Sequence, residues 1–168
     1  MSLPNLYCDV DGVINIAKHH DDAVSKFIFR KLPTRAGNLT PVPLRIRWSN
    51  YVPTFLSGIE ANFYWLTTWN QQAVSILEPL FGIKSVGVLD YKMKLIEARQ
   101  QKWKYELLKK HQKDNPTPFV WIDDVATKHY KEEDWIGAAA HLVVRPHKNH
   151  GITREHILEI GEFLKVHS

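Results

Sequence analysis

Three short stretches carry side chains that could do chemistry together: Asp9-Val10-Asp11-Gly12, Thr67-Thr68 and Asp123-Asp124. Each follows an apolar run, so each sits where a strand would leave a sheet. If those strands are parallel neighbours, the acids and hydroxyls converge on one sheet edge. Carboxylates gathered there repel one another and raise their pKa values unless a cation lies among them. Hard oxygen donors suit Mg²⁺, which keeps several waters and usually shares its shell with a phosphate. The chemistry on offer is phosphoryl transfer. A cation held by Asp9 and Asp124 would align the group for in-line attack by a carboxylate oxygen. Asp11, two residues on, could protonate the leaving oxygen and later deprotonate a water. Gly12 would let backbone N–H groups approach phosphate oxygens. A threonine hydroxyl and a lysine ammonium would complete an electrostatic clamp.

The elements that must position these groups are legible as alternating strands and helices. Residues 5–8 read as a short strand. Residues 26–30 (Lys-Phe-Ile-Phe-Arg) and 44–48 (Leu-Arg-Ile-Arg-Trp) alternate charged and apolar, the period of a half-exposed strand. The segment between them is rich in Pro and Gly, which predicts a β-hairpin or flap over about 26–48. A short helix over 51–61 follows. Residues 62–66 are a continuous apolar run, as in a strand covered on both faces. Helical spacing returns over 71–80 and, after a brief strand at 85–89, over 92 to about 112. Strands are predicted at 119–122 and 141–144, and Thr153 reads as the N-cap of a last helix with Ile157, Ile160 and Leu164 as its apolar stripe. This alternation predicts a three-layer α/β fold, Rossmann-like, with a mainly parallel sheet between helices and a small hairpin insertion. One domain over 1–168 is expected, with the flap or minimal cap at about 18–60.

Composition sets the wider bounds. The 168 residues are 44% hydrophobic and 24% charged, ordinary for a globular domain, and carry a formal charge of +4 that favours an anionic partner such as a nucleotide or polynucleotide. The single cysteine, Cys8, precludes an intrachain disulfide and makes a reducing, cytoplasmic setting the expectation. No apolar run approaches the roughly 20 residues that span a bilayer, so no membrane partner is expected.

The motifs also carry a family resemblance. Leu6-Tyr7-Cys8-Asp9-Val10-Asp11-Gly12-Val13 resembles the first motif of the haloacid dehalogenase (HAD) superfamily. Trp65-Leu66-Thr67 is similar to its second, Lys94 at a helix start to its third, and Val120-Trp121-Ile122-Asp123-Asp124 to its acidic fourth. The resemblance implies a Mg²⁺-dependent phosphatase. It makes Asp9 nucleophile and metal ligand, and Asp11 acid/base with its backbone carbonyl on the metal. Thr67 would hold the phosphate, Lys94 would stabilise the intermediate, and Asp124 would bind the metal directly, with Asp123 acting directly or through water. Thr68 can replace Thr67 and Lys92 can replace Lys94 within one register error. The interval between Asp9 and Thr67 holds only the flap and one short helix, and that between Thr67 and Lys94 has no room for a domain. The layout therefore resembles minimal-cap members, and in its Trp-Ile-Asp-Asp and Gly151-Ile152-Thr153 segments small phage and bacterial members that hint at nucleic-acid repair. An open site of that kind suits large phosphorylated substrates such as polynucleotide ends.

Plainer readings stand beside these. Lys92, Lys102, Lys104, Lys109 and Lys110 share the helix of Lys94, and a lysine there is as readily a solvated face residue. Alternation points Cys8 into the core, as an inert thiol. Trp65 and Trp121 belong inside strands, whereas Trp48, Trp135 and above all Trp69, which follows Thr68, are expected at the site mouth. His19-His20-Asp21-Asp22 reads as a polar loop, and Arg145 to His150 as a basic loop that could meet a substrate anion. The rival to an enzyme is a catalytically silent relative, a scaffold or nucleic-acid-binding module. Intact Asp9 and Asp11 favour the enzyme.

Overall fold

The computed structural model describes residues 2–18, 20–34, 37–90, 102–126, 131–135 and 138–168. Five parallel strands form the central sheet in the order β5-β4-β1-β6-β7, comprising β1 (Asn5–Cys8), β4 (Asn62–Trp65), β5 (Gly87–Val88), β6 (Phe119–Ile122) and β7 (His141–Val144). β1 lies at the centre, paired with β4 on one side and β6 on the other. Both of its faces are covered by packed elements, which is why so short a run is wholly apolar but for Asn5.

Strand alternation sorts the side chains into two cores. Leu6, Cys8, Phe63, Trp65, Val120 and Ile122 face one side, where α1 (Val52–Ser57), a π-helical turn Ala73–Leu77 running into α2 (Glu78–Phe81), and α4 (Arg154–His167) cover them. Tyr7, Phe119 and Trp121 face the other side, against Trp103, Tyr105 and Leu108 of α3 (Lys102–Asp114). This is the Rossmann-like α/β arrangement expected of the sequence. Cys8 is buried, as alternation requires, and burial raises its thiol pKa.

Between β1 and β4 lies a separate two-stranded antiparallel hairpin, β2 (Ala23–Pro33) and β3 (Leu39–Ser49). Each strand is eleven residues long, well beyond the five-residue segments whose alternation signals them. Ile46 and Trp48 enter the core next to Phe81, so the hairpin is rooted in the domain at its base. Trp48 and Trp135 are thus core residues, not residues of the site mouth as expected. Other boundaries moved by a few residues: the strand expected at 85–89 is Gly87–Val88, and the helix expected over 51–61 is Val52–Ser57. The first part of the long helix expected from residue 92, including Lys92 and Lys94, lies outside the described residues. Thr153 caps α4 as predicted, with a reciprocal bond between its backbone N–H and His156.

A buried polar knot docks α3 on β1. The Tyr7 hydroxyl accepts from Asn5 Nδ2 (3.0 Å) and Gln112 Nε2 (2.8 Å) and, with its one proton, donates to His111 Nδ1 (2.7 Å). That is the full capacity of a hydroxyl. Burial lowers the His111 pKa, consistent with a neutral ring accepting at Nδ1. Gln112 and Lys104 are eight residues apart on one stripe of α3, about 12 Å along its axis. Fixing the first at Tyr7 therefore aims the second at the end of β1.

Candidate active site

β1, β4 and β6 end at one level; the chain continues from β1 into Asp9, from β6 into Asp123, and from β4 through Leu66 into Thr67. The N–H of Asp9 donates to the carbonyl of Ile122, and that of Leu66 to Cys8, which carries the sheet register one step past the strands. Asp9, Asp123 and Asp124 thereby come together, each offering a carboxylate oxygen within 4.8 Å of the others. Asp9 and Asp123 are buried and Asp124 is half-buried.

Among the described residues, the cation paired with them is Lys104. It is 1% exposed, and its ammonium donates to Asp9 Oδ2 at 2.5 Å and Asp123 Oδ2 at 2.8 Å. Burial works against this ammonium, but the charges of Asp9 and Asp123 prevail and hold its pKa above the ordinary value. Burial pushes the Asp9 carboxyl up to about 6; Lys104 pulls it down and Asp123 pushes it further up. Burial likewise raises Asp123, and burial with the charge of Asp9 raises Asp124. Among the described residues, three carboxylates against one paired ammonium leave two negative charges without an ion-pair partner. A hard divalent cation with oxygen ligands fits that donor set.

Gly12 makes room for the cluster. Its φ of +80° is left-handed, and a Cβ there would lie 2.5 Å from Asp124 Oδ2, so a side chain is excluded by backbone and neighbour alike. The following loop is clamped by the segment before α4. Ile152 N–H donates to the Val13 carbonyl at 2.9 Å, and Gly151, at φ +67°, passes so close that a Cβ would sit 2.4 Å from that oxygen. The same clamp brings Lys148 to the site.

Asp11 lines the same cavity but is not one of the three clustered acids. Its carboxylate accepts from Asn15 Nδ2 at 2.8 Å and from the indole N–H of Trp69 at 2.9 Å, and Arg30 of the hairpin approaches it at 3.8 Å. Trp69, expected to meet substrate, is 0% exposed. Its ring instead carries the Arg30 guanidinium, 4.4 Å from the ring centroid, while Arg30 donates to the Thr68 carbonyl at 2.9 Å. Burial lowers the Arg30 pKa despite the opposing charges of Asp11 and Asp9. Thr67 is buried, with its hydroxyl 3.3 Å from the backbone nitrogen of Trp69; Thr68 is exposed. A cavity of about 560 Å³ opens over these groups, with Asp9, Asp11, Gly12, Thr68, Lys104 and Asp124 at its floor and Arg45, Arg47 and Lys148 on its walls.

Residues 5–157 match the family described as the HAD domain in Swiss Army Knife RNA repair proteins. The chain belongs to that family. HAD domains are phosphohydrolase-type, in keeping with the acid cluster at the strand ends. No curated protein and no solved structure matches the chain.

In this HAD domain the acids that the structure brings together, Asp9, Asp123 and Asp124, are ones the sequence singles out, whereas the buried cation beside them is not. Lys94 and Lys92 fall outside the described residues, and the ammonium beside Asp9 belongs to Lys104. A signal for it existed. Lys104 shares a helix stripe with Leu108 and Gln112, which are buried, whereas a solvated lysine belongs on the opposite face. Arg30, Arg45 and Arg47 were also missed, since nothing local says which hairpin residues reach the site. His20 bonds Asp22 and lies 3.4 Å from the buried Ser49 hydroxyl, tying off the base of the hairpin.

Proposed function

We propose that this HAD domain is a Mg²⁺-dependent phosphomonoesterase that removes the terminal phosphate of a nucleic acid strand through a phosphorylated Asp9. The observation that carries this reading is the buried Asp9 carboxylate, shared with Lys104 and within 4.8 Å of Asp123 and Asp124, at the floor of a basic-walled cavity. Asp9, Asp124 and Asp123 would hold the metal, which neutralises phosphoryl oxygens when bound. A carboxylate oxygen of Asp9 attacks phosphorus, the bond from phosphorus to the sugar oxygen breaks, and Asp11 gives that oxygen its proton. Asp11 then takes a proton from water as the water oxygen attacks phosphorus. The bond to Asp9 breaks, and inorganic phosphate leaves.

The other residues serve these steps. Lys104 keeps Asp9 ionised and takes the part expected of Lys94. Trp69 and Asn15 aim Asp11, so Trp69 acts through that acid. Thr68 meets the phosphate, Thr67 sets the turn behind it, and Gly12 keeps the backbone close. Two features favour a polynucleotide end over a small metabolite. The cavity walls carry Arg45, Arg47 and Lys148, more cation than one phosphate needs. Arg47 Nε is moreover a buried donor without a partner among the described residues, as expected beside an anion yet to bind.

The test is Mg²⁺-dependent phosphate release from 3′- and 5′-phosphorylated oligonucleotides, mononucleotides and p-nitrophenyl phosphate, with Asp9→Asn as control. Asp9→Asn should lose about 10³-fold or more in rate. Equal rates in the two proteins would remove Asp9 as nucleophile, and exclusive turnover of small phosphates would remove the nucleic acid substrate.

A further inference from the structure

The hairpin has two faces, and only one of them is used by the core. Cross-strand pairing puts Ile28 with Leu44, Lys26 with Ile46 and Val24 with Trp48 on the inner face. The outer face carries Phe27 opposite Arg45, Phe29 opposite Pro43, and Lys31 opposite Pro41. Phe27 is 63% exposed and Phe29 69%. Such rings cost solubility, and two of them two residues apart on one strand face form a patch rather than scatter. The patch is continuous with the catalytic cavity. Arg45 lines that cavity, and its guanidinium stands 4.4 Å from the centroid of the Phe27 ring.

We propose that this outer face, Phe27 and Phe29 framed by Arg45, Arg47 and Lys31, is a stacking platform for the unpaired nucleotides adjacent to the terminal phosphate. Charge decides the occupant. Residues 23–49 contain six Lys and Arg and no Asp or Glu, so the hairpin repels a basic surface and attracts a polyanion. Every base has a π-face for an aromatic ring, and the arginines serve the intervening phosphates. A second copy of the chain is disfavoured on two counts. It would bring the same positive hairpin against itself, and Pro41 and Pro43 interrupt the donors that edge pairing of β3 would need. The platform thus makes single-stranded ends better substrates than mononucleotides at the same Asp9.

The inference rests on the phosphomonoesterase reading, and the test separates the two. Binding of a fluorescent, phosphate-ended single-stranded hexanucleotide is measured by anisotropy on Asp9→Asn and on Asp9→Asn with Phe27→Ser and Phe29→Ser. The serines should weaken binding by about 10- to 100-fold. In the Asp9 protein they should lower kcat/KM for the oligonucleotide by a similar factor relative to p-nitrophenyl phosphate, mainly through KM. Unchanged binding and an unchanged ratio would overturn the platform. Phe-dependent binding in a protein that releases phosphate from nothing would keep the platform and remove the phosphomonoesterase. Sedimentation showing self-association that the serines abolish, with oligonucleotide binding intact, would assign the face to a second copy and overturn the proposal.

Discussion

Replacing Lys104 by Met keeps a long, unbranched side chain in the same space and deletes one charge, which isolates the electrostatic role of this residue. Asp9 and Asp123 then share the strand ends with Asp124 and, among the described residues, no ion-paired cation. Removing one partner of a buried ion pair costs about 3–5 kcal/mol, because the other is left charged and desolvated. For a chain of this length each kcal/mol moves Tm by about 2–4 °C, so the metal-free variant should melt about 6–20 °C below wild type at pH 8. The deficit must also depend on pH. Asp9 has its pKa pushed up to about 6, above its value in the unfolded chain, so the stability tied to its protonated form is complete below about pH 4 and gone above about pH 6. Without Lys104, whose charge lowers that pKa, the window of loss extends above pH 6. The variant then keeps losing up to about 1.4 kcal/mol per pH unit where wild type has levelled off with respect to this group. Thermal melts at pH 5, 6, 7 and 8 in chelator, with and without excess Mg²⁺, read this directly. The gap should widen from pH 6 to pH 8 and narrow when Mg²⁺ is added. A gap below about 1 kcal/mol at pH 8, or one that is flat across this range, would mean that Lys104 does not neutralise the pair.

Other outcomes follow from the same geometry. Gly12→Ala should remove at least 100-fold of Mg²⁺-dependent activity while costing only about 1–2 kcal/mol in chemical denaturation, since the left-handed backbone and the Asp124 carboxylate both resist a Cβ; paired kinetics and melts check it. Mg²⁺ should raise Tm more at pH 8 than at pH 5, because protons and metal compete for Asp9, Asp123 and Asp124, all of which have raised pKa values; an equal rise at both pH values would place the ion elsewhere. Tyr7→Phe should cost about 1–3 kcal/mol by stranding the amide donors of Asn5 and Gln112 and the acceptor of His111, and urea titration measures it. Trp69→Phe keeps the ring under Arg30 but removes the indole donor to Asp11, so kcat should fall about 10-fold while the melting temperature stays close to wild type, which steady-state kinetics and thermal melts check.

The parts of this protein that its sequence determined are those fixed by near neighbours along the chain. The short apolar runs within 5–8, 62–66 and 119–122 read as buried strands, and the acids and threonines that end them had to lie at one sheet edge once the strands ran parallel. Gly12 and Thr153 were equally local, one a left-handed turn, the other a cap. Tertiary structure decided the rest. Several lysines punctuate the helical stretch, and which one is buried depends on how α3 docks on β1, a register set by Tyr7 with His111 and Gln112, residues 104 and 105 positions away in the chain. Trp69 looked like a substrate contact because it follows Thr68, but the turn folds its indole under Asp11 and Arg30. A lysine, an arginine and a tryptophan look the same in sequence whether solvated or buried. Only packing brings the opposite charge that makes burial affordable.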